Sequence, residues 1–324
     1  MKRTYILQGI ILLMFFLTSC ECDNEYPIIV ENKNEIVFST DLQRLKVNSR
    51  AAQRLQGIQL ATGNQVGVYV EATDSRGVYL LYPNRPFTAD GVGGLDSNTE
   101  PLYYPLEGEV CIYAYAPFHT DWINFDTQPF AVAADQSNDD AYIFSDLIFG
   151  TPVASNPVTN NNEAVVLKMK HQLAKVNVTL RSSANTDLSG AVIMLHGTRL
   201  YTTFNMRTGE IGEATGGVSA ITMASFPMEI GPDIVPEYSC SSVVVPQNLD
   251  SGITLLEIKL KDATVLYYDL PDDLVLESGM QYTYTLTVNN ADLSIVSDEV
   301  EIDDWEVAGR TDAIIDTPLS DTGI

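Results

Sequence analysis

The run Val165–Leu180, VVLKMKHQLAKVNVTL, lies at the middle of a 324-residue chain and constrains the fold more than any other stretch. In its second half Ala174, Val176, Val178 and Leu180 share one parity, while Lys175, Asn177 and Thr179 share the other. Successive side chains of an extended backbone point to opposite faces, so an apolar–polar period of two marks a half-buried strand. The same period returns at Leu256–Lys261. It is most regular at Tyr282–Val288, where Tyr, Tyr, Leu and Val alternate with threonine. Few stretches carry a 3.6-residue period, so the chain reads as all-β, with short strands at sandwich spacing. Strands and polar loops precede the central run for about one domain's length, and a second set follows it. The central run is therefore expected to be the first strand of the second of two tandem β-domains.

Further strands are expected at Glu35–Thr40, at Val66–Val70 after the turn Gly63-Asn64-Gln65, and at Val78–Tyr82 as its hairpin partner. Residues 83–101 read as a loop. Glu109–Ala116 is apolar on both faces and suits the centre of a sandwich. Beyond it come a strand near Phe130–Ala133, a short apolar piece at Tyr142–Phe149, weak alternation at Ala191–His196, and a strand stopped by Pro246. The parity slips between Ile295 and Val296, which predicts a bulge there. The expected divisions are 1–19, 20–50, 51–165, 166–310 and a tail 311–324, with the polar run Thr159–Glu163 just before the central boundary.

Charge and motifs narrow the function. The net charge is −25, from 43 acidic and 18 basic residues, and such a chain repels nucleic-acid phosphates and anionic lipid surfaces. No G-x-S-x-G, H-E-x-x-H or P-loop pattern is present. Cys111 sits mid-strand in apolar company, where a thiol is inert. His171 stands near a strand end, where a structural role is expected. Asp303 and Asp304 are adjacent in a strand and point to opposite faces. The loop Asp135–Asp140 has oxygen donors but lacks the glycine and distal glutamate of an EF-hand. No catalytic residue, cofactor or metal is therefore assigned. The four cysteines, Cys20, Cys22, Cys111 and Cys240, form no C-x-x-C pair, and a Cys111–Cys240 bridge is left open.

The N-terminus has the form of a lipoprotein signal. Lys2 and Arg3 precede the apolar run Ile6–Leu17, too short for a membrane span, and Leu17-Thr18-Ser19 leads to Cys20. This is the pattern of a bacterial lipobox, with Cys20 acylated and left as the first mature residue. Acyl chains anchor a protein without spanning the membrane. Glu21, Asp23 and Glu25 then read either as an export signal to the outer face of the outer membrane or as a solvated tether. Downstream, Arg44, Lys46, Arg50 and Arg54 concentrate basic charge in an otherwise acidic chain and suit an exposed, protease-accessible loop.

Several runs, in order, resemble the fimbrillin family, the lipoprotein pilin precursors of type V pili. They are Gly63-Asn64-Gln65-Val66-Gly67-Val68-Tyr69-Val70, Tyr104-Pro105, Ile112-Tyr113-Ala114-Tyr115-Ala116-Pro117, Asp135-Gln136-Ser137 and Ser145-Asp146-Leu147. Met169-Lys170-His171-Gln172-Leu173-Ala174-Lys175-Val176 is the most specific; Leu276–Tyr284 and Ile302-Asp303-Asp304-Trp305 complete the set. Asn64-Gln65 stands where an acidic residue is usual, and Met169 where phenylalanine is commoner. The resemblance implies two tandem transthyretin-like β-sandwiches, no enzymatic activity, and a cell-surface fimbrial subunit precursor. It further implies a cut after an arginine by an arginine-specific protease: Arg50–Ala51 foremost, with small neighbours on both sides, and Arg44 or Arg54 as alternatives. The cut would free the strand carrying Ile36 and Phe38, whose groove a neighbouring subunit's strand would fill. Implied partners are other fimbrillin subunits, the outer membrane through the lipid on Cys20, and a host protein or glycan. A tip adhesin, an anchor lipoprotein, and a non-polymerising glycan-binding lipoprotein using Tyr79, Tyr82, Tyr103 and Tyr104 stay open beside it.

Overall fold

The computed structural model describes residues 34–40, 60–182, 187–227, 237–289 and 294–305, with residues 294–304 described through their backbone. The strands are β1 (Phe38–Thr40), β2 (Gln65–Asp74), β3 (Gly77–Ala89), β4 (Gly94–Ser97), β5 (Glu109–Ala116), β6 (Thr127–Ala131), β7 (Ile148–Pro152), β8 (Val165–His171), β9 (Ala174–Ser182) and β10 (Val192–Thr198). Then follow β11 (Tyr201–Asn205), β12 (Ser219–Thr222), β13 (Ala224–Pro227), β14 (Glu237–Val244), β15 (Gln247–Leu249), β16 (Thr254–Lys259), β17 (Val265–Asp269), β18 (Leu274–Leu276), β19 (Met280–Asn289) and β20 (Ser294–Asp304). One helix, α1 (Asp139–Phe144), occurs among the described residues. The chain is all-β, as its period-two runs require.

Seven strands, in the order β1-β4-β3-β2-β5-β7-β8, form a sheet that closes on itself where β8 pairs parallel with β1. The other half is sandwich-like, with a five-stranded sheet β13-β14-β9-β19-β20 and a four-stranded sheet β12-β10-β16-β17. Two apolar cores result. One fills the closed sheet with Ile36, Phe38, Val68, Val70, Ile112 and Leu167 among others. The larger lies in the second half and also takes in Tyr69 and Tyr115 from the outer faces of β2 and β5. β2 is buried on both faces, and β5 at Tyr115, because an aromatic layer of Trp122, Phe125, Phe130 and Phe204 covers them there. The two-faced burial expected of Glu109–Ala116 is met only at its C-terminal end, where Tyr115 joins the two cores; Cys111 and Tyr113 stay half-buried.

The central run is two strands rather than one. Val165, Leu167, Met169 and His171 are buried on one parity; Ala174, Val176, Val178 and Leu180 on the other. The parity slips between Leu173 and Ala174, just past the break at Gln172-Leu173, where Gln172 N–H donates to Leu147 O (2.8 Å) and Leu173 O accepts from Gly279 N–H (2.9 Å). There the chain leaves the closed sheet and enters the five-stranded one, so β8, counted above with the second half, closes the first.

Other expectations change as well. The hairpin partner of β2 runs on to Ala89 and the expected loop 83–101 holds β4; Pro83 falls in an irregularity of the β2–β3 register, and Pro86 pairs in register with Gly67. Tyr142–Phe149 splits into the end of α1 and β7, since Asn138 caps the helix by accepting Ala141 N–H and Asp139 and Asp140 occupy its first turn. The bulge falls at Asp298, between the pairs Thr285–Glu299 and Leu286–Ser297, rather than at Ile295 and Val296. The strands β11, β12, β13, β15 and β18 are too short to carry a readable period.

Candidate functional site: the slot of the first strand

The strand β1 occupies the seam of the closed sheet. It pairs antiparallel with β4, Phe38 opposite Leu95, and parallel with β8, Phe38 opposite Val165. Backbone hydrogen bonds extend this pairing: Ile36 N–H to Leu102 O (2.8 Å), Thr40 N–H to Gly93 O (2.7 Å), and Val165 N–H to Val37 O (2.7 Å). Tyr104 N–H donates to Asn34 O (2.8 Å). The strand's alternation decides what it buries: Ile36 and Phe38 are 3% and 2% exposed and point into the core, while Val37 and Ser39 face partly outward. The Phe38 ring meets Phe87 edge-on at 5.1 Å. The slot is apolar inside, lined by Leu95, Leu102, Val165 and Leu167. Burying Ile36 and Phe38 contributes roughly 3–6 kcal/mol, at ~1.5–3 kcal/mol each. Without β1, β4 and β8 would present unpaired backbone to water.

Of the site residues read from sequence, Ile36 and Phe38 lie in this slot. Cys20, Arg44, Arg50, Ala51 and Arg54 lie outside the described residues, as do the signal segment and residues 306–324. The four tyrosines do not form one platform: Tyr104 is buried, Tyr79 and Tyr82 pack against the first core, and the Tyr103 backbone N–H donates to the Tyr82 hydroxyl at 3.1 Å. Cys111 and Cys240 are free thiols; Cys240 is buried and Cys111 half-buried. In the loop Asp135–Asp140 the oxygens serve the backbone, with Asp135 accepting Ser137 N–H (3.0 Å) and Asn138 capping α1.

The motif residues meet in space. His171 Nδ1 lies 2.9 Å from Asp146 Oδ1, and its ring stacks on Trp305 at 4.0 Å and 6°. The Lys175 ammonium sits 5.7 Å from the same indole, and Trp305 N–H donates to Gly279 O (2.8 Å). His171 is thus held by a hydrogen bond and a stacking contact. It clamps the point where the chain changes sheets against the last described residue. Gln136 is fully buried and its amide reads the Val243 backbone in both directions at 2.8 Å, so it acts as a short strand. Sequence reasoning missed Glu71 and Arg207, which form a two-pronged ion pair at 2.6 and 2.7 Å between β2 and the turn after β11. Arg207 also lies over the Phe125 ring at 4.5 Å. No local pattern announces a pair 136 residues apart.

Among solved structures the chain is similar to a candidate cell adhesion protein from Bacteroides uniformis, with a TM-score of 0.60 and 16% identity over 84% of this chain and 98% of that one. It is likewise similar to one from Bacteroides ovatus, with a TM-score of 0.62 and 21% identity over 77% of this chain and 90% of that one. These likenesses concern the fold. No curated protein matches the sequence. The profile of the fimbrillin-like family matches residues 49–305, from the arginine-bearing segment to the tryptophan that stacks on His171. The chain belongs to the fimbrillin-like family.

Proposed function

We propose that this chain is the precursor of a cell-surface fimbrial subunit. It is exported as a lipoprotein acylated on Cys20, cut in the segment 44–54 with Arg50–Ala51 the favoured bond, and joined to other subunits by donor-strand exchange. The observation that carries this reading is β1 itself. It is short, it is the first described strand, it fills an apolar slot, and the arginine-bearing segment follows it directly. A cut at Arg50 would put the lipid, Ile36 and Phe38 on the released piece. The emptied slot would expose apolar core and two strand edges, and an extended segment of another subunit would regain the backbone bonds and a comparable burial. The precursor would then reside on the outer membrane surface and the processed chain in the fimbrium, where adhesion to a host protein or glycan is its service.

Intact mass spectrometry of the mature protein from surface-extracted and polymer fractions tests this directly. The expected polymer form begins at Ala51 and carries no lipid; an assembled form beginning at Cys20 would replace the polymerising reading with an anchor reading. Arg50→Ala is expected to leave a longer, lipidated, mainly monomeric species. Cys20→Ala is expected to abolish palmitate labelling and to leave the signal segment attached.

A further inference from the structure

The outer face of the five-stranded sheet carries a groove that the fimbrial reading does not use. Its volume is about 300 Å³, within the size range of small-ligand sites, and it lies over β9, β14 and β19 between α1 and β13. We propose that this groove binds a small carboxylate-bearing molecule about the size of one sugar ring, held by the Lys175 ammonium and the Tyr142 and Thr283 hydroxyls.

The hydrogen bonds in the groove run in one direction. Ser241 Oγ donates to Asn177 Oδ1 (2.8 Å), and Asn177 Nδ2 donates to Thr283 Oγ1 (3.2 Å). The amide oxygen and the threonine oxygen are thus engaged as acceptors, while the Thr283 hydrogen and the second Asn177 amide hydrogen are left to donate. Tyr142 adds a third donor. Its side chain is 1% exposed, and its hydroxyl, beside Ser241, meets no partner at hydrogen-bonding geometry. A buried hydroxyl left unpartnered costs free energy, which a ligand acceptor would recover.

Lys175 supplies the charge. Among the residues whose side chains are described, no carboxylate lies within ion-pair distance of it, and its ammonium sits 5.7 Å from the Trp305 ring. Burial pushes its pKa down to about 8, against the pull of Asp146, so it stays largely protonated at neutral pH. Asp146 is engaged with His171 through one oxygen, and its other oxygen has no partner. An ammonium held in such a place without an ion pair is a cost to the fold. The described residues lining the groove include this one cation and no carboxylate, in a chain with 43 acidic residues. One positive charge matches one carboxylate; a phosphate dianion would bring unmatched charge close to Asp146. The Phe226 ring, 5.7 Å from that of Tyr142, forms an apolar wall for the rest of the ligand.

Titration calorimetry of the full chain with glucuronate and with glucose tests the proposal, because the two share their ring hydroxyls and differ in the carboxylate. Glucuronate is expected to bind about tenfold more tightly than glucose or better, as a charge-assisted hydrogen bond would give. Lys175→Gln should erase the difference between the two, and Tyr142→Phe should weaken glucuronate with the circular dichroism unchanged. Should Lys175→Gln fail to fold, Thr283→Val serves in its place, with weakened glucuronate binding expected. Equal binding of both sugars, no heat from either, or undiminished glucuronate binding in the folded variants would overturn it. None of these results depends on processing or assembly, so they leave the fimbrial reading untouched.

Discussion

At Gly67 the backbone of β2 runs directly against the Tyr115 ring, and a Cβ there would overlap the ring itself. Gly67→Ala is expected to lower stability by about 1–3 kcal/mol, read by urea denaturation, since neither strand can retreat from a core packed on both faces. Glu71 and Arg207 make a second residue-scale case. Glu71 is buried, so Arg207→Met would strand an uncompensated carboxylate and is expected to cost ~3–5 kcal/mol, whereas Glu71→Leu with Arg207→Met should recover most of the loss. A double-mutant cycle by chemical denaturation checks this; a double-variant loss equal to the sum of the two single-variant losses would show that the two side chains do not interact. Lys175 gives a pH dependence. Its pKa is lowered from 10.5 to about 8 in the folded chain, so between these values the unfolded chain binds more protons and stability rises with pH. The penalty is fully present below pH 8. Lys175→Met is therefore expected to stabilise the protein at neutral pH, by an amount of order 3 kcal/mol at about 1.4 kcal/mol per pKa unit. That gain should shrink between pH 8 and 9; a gain independent of pH would contradict the assignment.

At the scale of elements, β1 matters beyond its three residues because it is the shared neighbour of β4 and β8. Phe38→Ala is expected to destabilise the uncut chain by ~3–5 kcal/mol, the range for removing a buried phenylalanine. The loss should be local. Hydrogen exchange is expected to accelerate at β4 and β8, whose backbone pairs with β1, and to stay unchanged at β9 and β19 in the other core. Uniform acceleration would mean that the two cores unfold as one. The helix α1 shows how an element enters against the general period: Asn138 and two following aspartates start it, Ser145 ends it, and Tyr142 anchors it in the second core.

For the whole molecule, the route of the chain through two cores sets what assembly would require. The closed sheet takes its first and last strands from opposite ends of the N-terminal half, so opening its seam need not disturb the five-stranded sheet. In the proposed assembly the segment 306–324 is long enough to reach a neighbour, at ~3.3–3.6 Å per extended residue. Ala313, Ile315 and Leu319 share one parity, but Ile314 falls on the polar parity and Pro318 removes a backbone donor. Deletion of residues 311–324 is expected to weaken polymer formation if this tail is the donor, measured by polymer ladders in gels run without heating. Normal ladders would place this subunit among those that accept a strand without donating one.

Sequence alone determined the all-β class, because a period of two in Tyr282–Val288 or Ala174–Leu180 admits no other backbone that buries one face. It also marked Ile36 and Phe38 as inward residues and, through ordered motifs, the family. The change of sheet at Gln172-Leu173 was written in the parity as well, as a slip between Leu173 and Ala174 inside a run that otherwise reads as one strand. What sequence could not decide depends on pairs distant along the chain. The meeting of Asp146, His171 and Trp305, the Glu71–Arg207 ion pair, the Gln136 amide on the Val243 backbone, and the donor-rich groove around Lys175 are each set by which strands become neighbours. Local periodicity fixes which face a side chain takes. Only the packing of sheets fixes what waits on the other side of that face.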